Sequence, residues 1–121
     1  MKLAFVYAGQ GSQFAVMGKY LYENYPAARA VFDQFPADFD LRTTCFEDPE
    51  GLLNQTRYTQ PCMLAVAMAI TDILAENGIT PEMTAGLSLG EYSALYCAGV
   101  LDRQTAAELI TFRGQAMQKA S

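Results

Sequence analysis

The chain of 121 residues has no histidine and no tryptophan. The missing histidine is the more restrictive absence. A serine nucleophile normally passes its proton to a neighbouring base, and histidine is the usual one. Lysine could serve, but Lys2, Lys19 and Lys119 sit in polar or terminal surroundings. Basic charge is also scarce: 8 Lys and Arg against 13 Asp and Glu give a net charge of −5 and a pI near 4.5. Nucleic acids and anionic membranes both want a basic face, so neither is an expected partner. Three cysteines, Cys45, Cys62 and Cys97, are too few and too far apart for a metal-ligand cluster. They read as reduced thiols of a cytoplasmic protein, with no metal expected. No apolar run reaches the ~18 residues of a membrane span. The run Leu3–Tyr7 is too short for an export signal and leads into a Gly-rich turn. No repeat, low-complexity tract or linker is evident.

About half of the chain, 51%, is apolar, enough to pack one core. A single domain over residues 1–121 is expected. Its most informative stretch is Gly86-Leu87-Ser88-Leu89-Gly90, a Gly-x-Ser-x-Gly pattern. In a nucleophile elbow a strand meets a sharp turn and a helix leaves at once, exposing the central serine at the carboxyl edge of a parallel sheet. Met83-Thr84-Ala85 supplies a short strand before it, and Glu91–Ala98 good helix formers after it, with Gly99 placed as a C-cap. The helix N-terminus would aim free N–H groups at an oxyanion forming on Ser88. Without that context the motif is more often a plain Gly/Ser loop.

Elsewhere the pattern is helical. Leu3–Tyr7 reads as a strand buried on both faces. The loop Ala8–Gln13 lacks the third glycine of a dinucleotide fingerprint and the Lys-Ser/Thr of a P-loop, which leaves either a turn or a loop facing a cleft. Gly18–Gln34 is helical, with a new helix starting at Pro26, and Tyr22, Tyr25, Val31, Phe32 and Phe35 packing. Asp40 caps a short helix to Phe46, and Asp48 begins a further helical turn. A helix capped by Thr59 or Gln60, with Pro61 in its first turn, runs to Asn77 and is apolar nearly all round. Asp102 caps a last helix over residues 103–119, with Ala106, Leu109, Ile110 and Met117 inward and Arg113 beside that face. A buried guanidinium needs a partner. The order of elements gives an α/β fold on a parallel sheet, though only two strands are visible.

Four motifs in series carry a family resemblance: Gly9-Gln10-Gly11-Ser12-Gln13, Asn54-Gln55-Thr56 with Thr59-Gln60-Pro61, the elbow through Leu95, and Arg113–Gln118. The chain resembles the N-terminal part of malonyl-CoA:acyl carrier protein transacylases over essentially its whole length. The resemblance implies a helix-rich, α/β-hydrolase-like parallel-sheet fold, here without the ferredoxin-like small subdomain. It implies transfer of a malonyl group, in fatty acid biosynthesis, from malonyl-CoA through a Ser88 ester to the phosphopantetheine thiol of acyl carrier protein. No cofactor is implied. Backbone N–H groups of Gln10 and Leu89 would form the oxyanion hole, and Arg113 would grip the malonyl carboxylate. The chain departs from the family at Leu87, where histidine is usual, and in lacking the later segment that carries the catalytic histidine. Two readings follow. Either a complementing C-terminal polypeptide, or the missing sequence, completes the site, with self-association as a further partner. Or the chain is a non-catalytic piece of an acyltransferase.

Overall fold

The computed structural model describes residues 2–120; Met1 and Ser121, the limits of the expected domain, lie outside the described residues. Eight elements follow in order: β1 (Ala4–Tyr7), α1 (Lys19–Asn24), α2 (Pro26–Gln34), α3 (Leu41–Phe46), α4 (Thr56–Glu76), β2 (Met83–Gly86), α5 (Gly90–Cys97) and α6 (Arg103–Ala120). The two strands pair in parallel, Ala4 with Met83 through Tyr7 with Gly86. The expected layout is present, a helix-rich α/β arrangement on a parallel sheet, and its strands are shorter of cover than expected.

The core is built around α4. Leu64, Ala65, Met68 and Ala69 are fully buried, and α2, α3, α5 and α6 all pack on this helix. Val31 and Phe32 of α2, Cys45 of α3 and Ala106, Ala107 and Ile110 of α6 close the shell. By length and composition α4 could cross a membrane, with a mean hydropathy of 1.3 over its most apolar window. Its apolar faces are instead met by neighbouring helices, except near Ile70, which is 43% exposed. Tyr25 also stays largely outside the core.

Four sequence expectations need correction. The strands are covered on one face only. Phe5, Tyr7, Thr84 and Gly86 face α4 and α5, whereas Ala4, Val6, Met83 and Ala85 face outward. A two-stranded sheet with helices on a single side leaves its other pleat open, and Val6 is accordingly 79% exposed. Secondly, α4 starts at Thr56, so Pro61 lies inside it. Proline has no N–H, and the carbonyl of Arg57 therefore lacks its helical donor. Gly114 of α6 packs against that turn, where a Cβ would stand 3.2 Å from Arg57 Cα and 3.5 Å from its carbonyl oxygen. Gln118 Oε1 accepts from the Arg57 N–H at 3.3 Å, so α6 caps the start of α4. Thirdly, Asp48 starts a turn and not a helix, because its carboxylate accepts from the N–H groups of Leu52 and Leu53. Fourthly, Leu109 and Met117 are 43% and 42% exposed; Ala107 and Gly114 take the inner face of α6.

Polar anchors fix the helix ends. Asp40 accepts from Thr43 N–H and hydroxyl, and Asp102 from Thr105 N–H, which holds both carboxyls below their ordinary range. Asp72 of α4 accepts from Tyr96 Oη at 2.6 Å and from Arg103 Nη2 at 3.0 Å, while Arg103 also donates to Gln34. This cluster ties α2, α4, α5 and α6 together. Burial first, then the bond to Asp72, push the Tyr96 phenol up to about 12.

Candidate active site

The sheet register sets the site. Tyr7 and Gly86 are the last paired residues of β1 and β2, so their loops leave the same carboxyl edge side by side. That edge is where ligands bind in open parallel sheets. The loop after β1 holds Gln10, and the turn after β2 holds Ser88.

The turn has the close contacts of an elbow. A Cβ on Gly86 would stand 2.0 Å from the Gly90 carbonyl oxygen, and one on Gly90 would stand 2.4 Å from the Tyr7 carbonyl oxygen. Both positions therefore require glycine. Between them Ser88 adopts φ 55°, a left-handed conformation that serine seldom takes. The strain turns Ser88 outward, and it is exposed, while Leu89 plugs into the core at 1% exposure. Leu89 thus serves two ends of one residue: a buried side chain locks the turn, and its backbone N–H opens α5. The N–H groups of Gln10 and Leu89 have no partner among the described residues. Gly9 lies against the Leu87 carbonyl, which brings the Gln10 loop onto the elbow. Leu87 itself is 74% exposed.

Arg113 comes from α6, and the structure brings it to Ser88. Its Nη2 donates to Ser88 Oγ at 2.9 Å and its Nη1 to Gln60 Oε1 at 2.8 Å. The guanidinium carbon lies 5.6 Å from the centre of the Tyr92 ring, within cation–π range. Gln60 is 1% exposed and sits one turn into α4. Its amide nitrogen approaches Gln10 Oε1 at 3.5 Å and Met117 Sδ at 3.2 Å. Gln10 Nε2 in turn donates to Thr56 Oγ1 at 3.0 Å. A chain of contacts thus runs from the loop after β1, through Gln60, to Arg113 and the serine.

All four residues expected from the sequence lie at this edge: Ser88, Gln10, Leu89 and Arg113. Sequence reasoning missed Gln60 and Tyr92 as parts of the site. Thr59 or Gln60 is the expected helix cap, yet Gln60 is a polar side chain in a run of buried ones, and such a residue must have a partner. Tyr92 lies in the first turn of α5, and its ring sits beside the Arg113 guanidinium, a contact with no local mark in the sequence. Chemically the edge offers an exposed hydroxyl, two free N–H groups and a fixed planar cation. That set suits attack on an acyl carbon by a hydroxyl and recognition of a carboxylate.

Residues 4–121 match the acyl transferase domain family. The chain is 44% identical over 121 residues to a malonyl CoA-acyl carrier protein transacylase of Bacillus subtilis, covering 98% of this chain and 38% of that protein. A malonyl CoA-acyl carrier protein transacylase from Clostridium perfringens superposes with a TM-score of 0.94 at 41% identity, over 100% of this chain and 39% of that one. A further solved structure, of a malonyl-transacylase in complex with a type II PKS acyl-carrier protein, superposes with a TM-score of 0.91 at 41% identity, over 100% of this chain and 40% of that one. The chain thus spans about two fifths of the length of these relatives.

Proposed function

The chain belongs to the acyl transferase domain family, and from that premise we propose that it supplies the nucleophile half of a malonyl-CoA:acyl carrier protein transacylase. The Ser88 hydroxyl attacks the thioester carbonyl of malonyl-CoA. The Oγ–C bond forms, the C–S bond breaks, and the serine proton passes to the departing thiol through a base. In the second half the phosphopantetheine thiol of acyl carrier protein attacks the Ser88 ester: the S–C bond forms, the C–Oγ bond breaks, and the thiol proton passes through the same base to Oγ. The Gln10 and Leu89 N–H groups receive the oxyanion of each tetrahedral intermediate. Arg113 holds the malonyl carboxylate by a charge-assisted contact that lysine would not copy. No cofactor enters the balance. The reaction belongs in the cytoplasm on this reading, which suits three free thiols.

The observation that carries the reading is the 2.9 Å contact between Arg113 and Ser88. It puts a carboxylate receptor beside a nucleophile. The base comes from polypeptide beyond this sequence, which has no histidine. The test is acylation. The 121-residue chain, of verified mass, is incubated with malonyl-CoA, alone and with the part of the Bacillus subtilis relative outside the matched region. Peptide mapping should place the malonyl mass on Ser88, with turnover only in the mixture. Label on Ser12, or on Ser93, which is 3% exposed, would overturn the assignment. Full turnover by the chain alone would overturn the split-site reading. Absence of label in both arms would favour a non-catalytic piece.

A further inference from the structure

Arg113 has a partner before any substrate arrives, and that partner is the nucleophile. A guanidinium carries five N–H donors in a rigid fork. Among the described residues its contacts differ in kind. Gln60 Oε1 holds Nη1 at 2.8 Å from a side chain that is 1% exposed, so this bond is fixed by the core. The Tyr92 ring, half-buried on α5, lies 5.6 Å beneath the guanidinium and restricts its tilt. Ser88 Oγ, at 2.9 Å from Nη2, is exposed and chemically changeable.

We propose that Ser88 Oγ is a placeholder on Arg113 that the carboxylate of the incoming acyl group displaces, and that Tyr92 is the positioning residue that keeps the guanidinium aimed for this exchange. The inference rests on the transacylase reading of the site. While Ser88 accepts from Nη2, its own proton points away from the cation, toward the open side where a base must stand. On acylation Oγ becomes an ester oxygen, a much poorer acceptor than a hydroxyl. The guanidinium loses its partner at that step. A malonyl group restores one, because its carboxylate oxygens lie four bonds from Oγ, a reach of roughly 4 Å on ordinary bond lengths. An acetyl group restores nothing. Selection for a carboxylated acyl group therefore begins when the carboxylate displaces Oγ from Arg113 and is completed when the ester forms, because the ester oxygen does not win the guanidinium back.

The exchange is read without turnover. Monomethyl malonate, which carries one ester and one carboxylate, is titrated into the 121-residue chain while the side-chain N–H signals of Arg113 are followed by NMR. Methyl acetate is the control ligand. Ser88→Ala removes the competitor, so monomethyl malonate should bind about tenfold to a hundredfold more tightly than to the parent chain, the range of roughly one charge-assisted contact. Tyr92→Leu should weaken binding by roughly twofold to thirtyfold, the range of a cation–π contact, and Tyr92→Phe, which keeps the ring, should restore it. Equal or weaker binding to the Ser88→Ala chain overturns the placeholder. Equal losses in the Leu and Phe variants overturn the role of the ring. Failure of the wider reading looks different: carboxylate binding would respond to both substitutions as stated while Ser88 stayed unlabelled by malonyl-CoA.

Discussion

Replacing Gly86 by alanine tests whether the elbow is held by contact or only by local preference. The added Cβ would lie 2.0 Å from the Gly90 carbonyl oxygen, 2.1 Å from the Gly90 carbonyl carbon and 2.5 Å from the Glu91 nitrogen. All three are backbone atoms, so no side chain can swing aside. Relief requires the start of α5 to retreat from β2 by more than about 1 Å, since close-packed interiors leave no slack of that size. Retreat has consequences on both sides. Leu89 would leave a site where it is 1% exposed, and the Thr84 hydroxyl would lose its 3.1 Å bond to the Ala94 carbonyl. Overpacking alone costs about 1–3 kcal/mol, and the lost packing adds to it, so about 3 kcal/mol is expected. With a urea slope of about 1–3 kcal/mol/M, the midpoint should fall by about 1–3 M. Gly51→Ala is the control. Gly51 has φ +68° and nothing within 4 Å of its Cβ position, so only the left-handed penalty of about 1–2 kcal/mol applies. In the complemented protein, labelling of Ser88 by a fluorophosphonate should drop in Gly86→Ala and not in Gly51→Ala. Equal midpoints and equal labelling in the two variants would refute the steric account of the elbow.

Three further outcomes are expected. Arg113→Ala in the complemented protein should remove a contact of roughly 1.5–3 kcal/mol, lowering malonyl transfer by about tenfold to more than a hundredfold while acetyl transfer is little changed; equal losses for both acyl groups would mark Arg113 as structural. Gln60→Leu keeps the buried volume and removes the Oε1 acceptor, so the urea midpoint should hold while malonyl transfer falls by about fivefold to thirtyfold, one to two kcal/mol of lost aim; a collapse in stability would instead make Gln60 a packing residue. The Tyr96 phenol, raised from 10.0 to about 12 by burial and Asp72, keeps its proton in the folded chain after the unfolded chain has lost its own. Its contribution is therefore complete below pH 10 and is lost between pH 10 and 12. Urea midpoints measured across that window should fall less steeply in Tyr96→Phe, though not to zero, because burial raises the Tyr7 phenol still further; an unchanged slope would count against the Tyr96 assignment.

The helices were legible because each carries its own stop and start. Asp40 and Asp102 cap, Pro26 opens, and the apolar faces of α2 and α4 repeat at helical spacing. What failed was local inference where a distant element decides. Pro61 signals a first turn by itself, yet α4 begins five residues earlier because Gln118 and Gly114, on α6, cap and accommodate the extra turn. The strands read as fully buried because β1 is a continuous apolar run. Composition reports what a residue could pack against, and only the sheet shows that Val6 and Met83 face outward.

The site divides along the same line. The elbow around Ser88 is legible from five residues, since it is a local structure whose glycines are demanded by contacts within the turn and with the neighbouring strand. The residues mark Arg113 only as a cation beside an apolar face and Gln10 only as part of a turn or cleft-facing loop; the resemblance supplies the roles of Gln10, Leu89 and Arg113, and the register of Tyr7 with Gly86 explains why the loop of Gln10 must sit beside the elbow. Gln60 and Tyr92 went unread because their roles exist only across elements. A glutamine in an apolar helix announces that it needs a partner and does not name one. Its partner lies 53 residues away, on the helix that brings Arg113. On the proposed reading, the nucleophile is written into one turn of the chain, and the carboxylate receptor is written into the packing of α4 against α6. On that reading, a substitution at Gln60 alters the aim of Arg113 while leaving the contacts of the elbow intact.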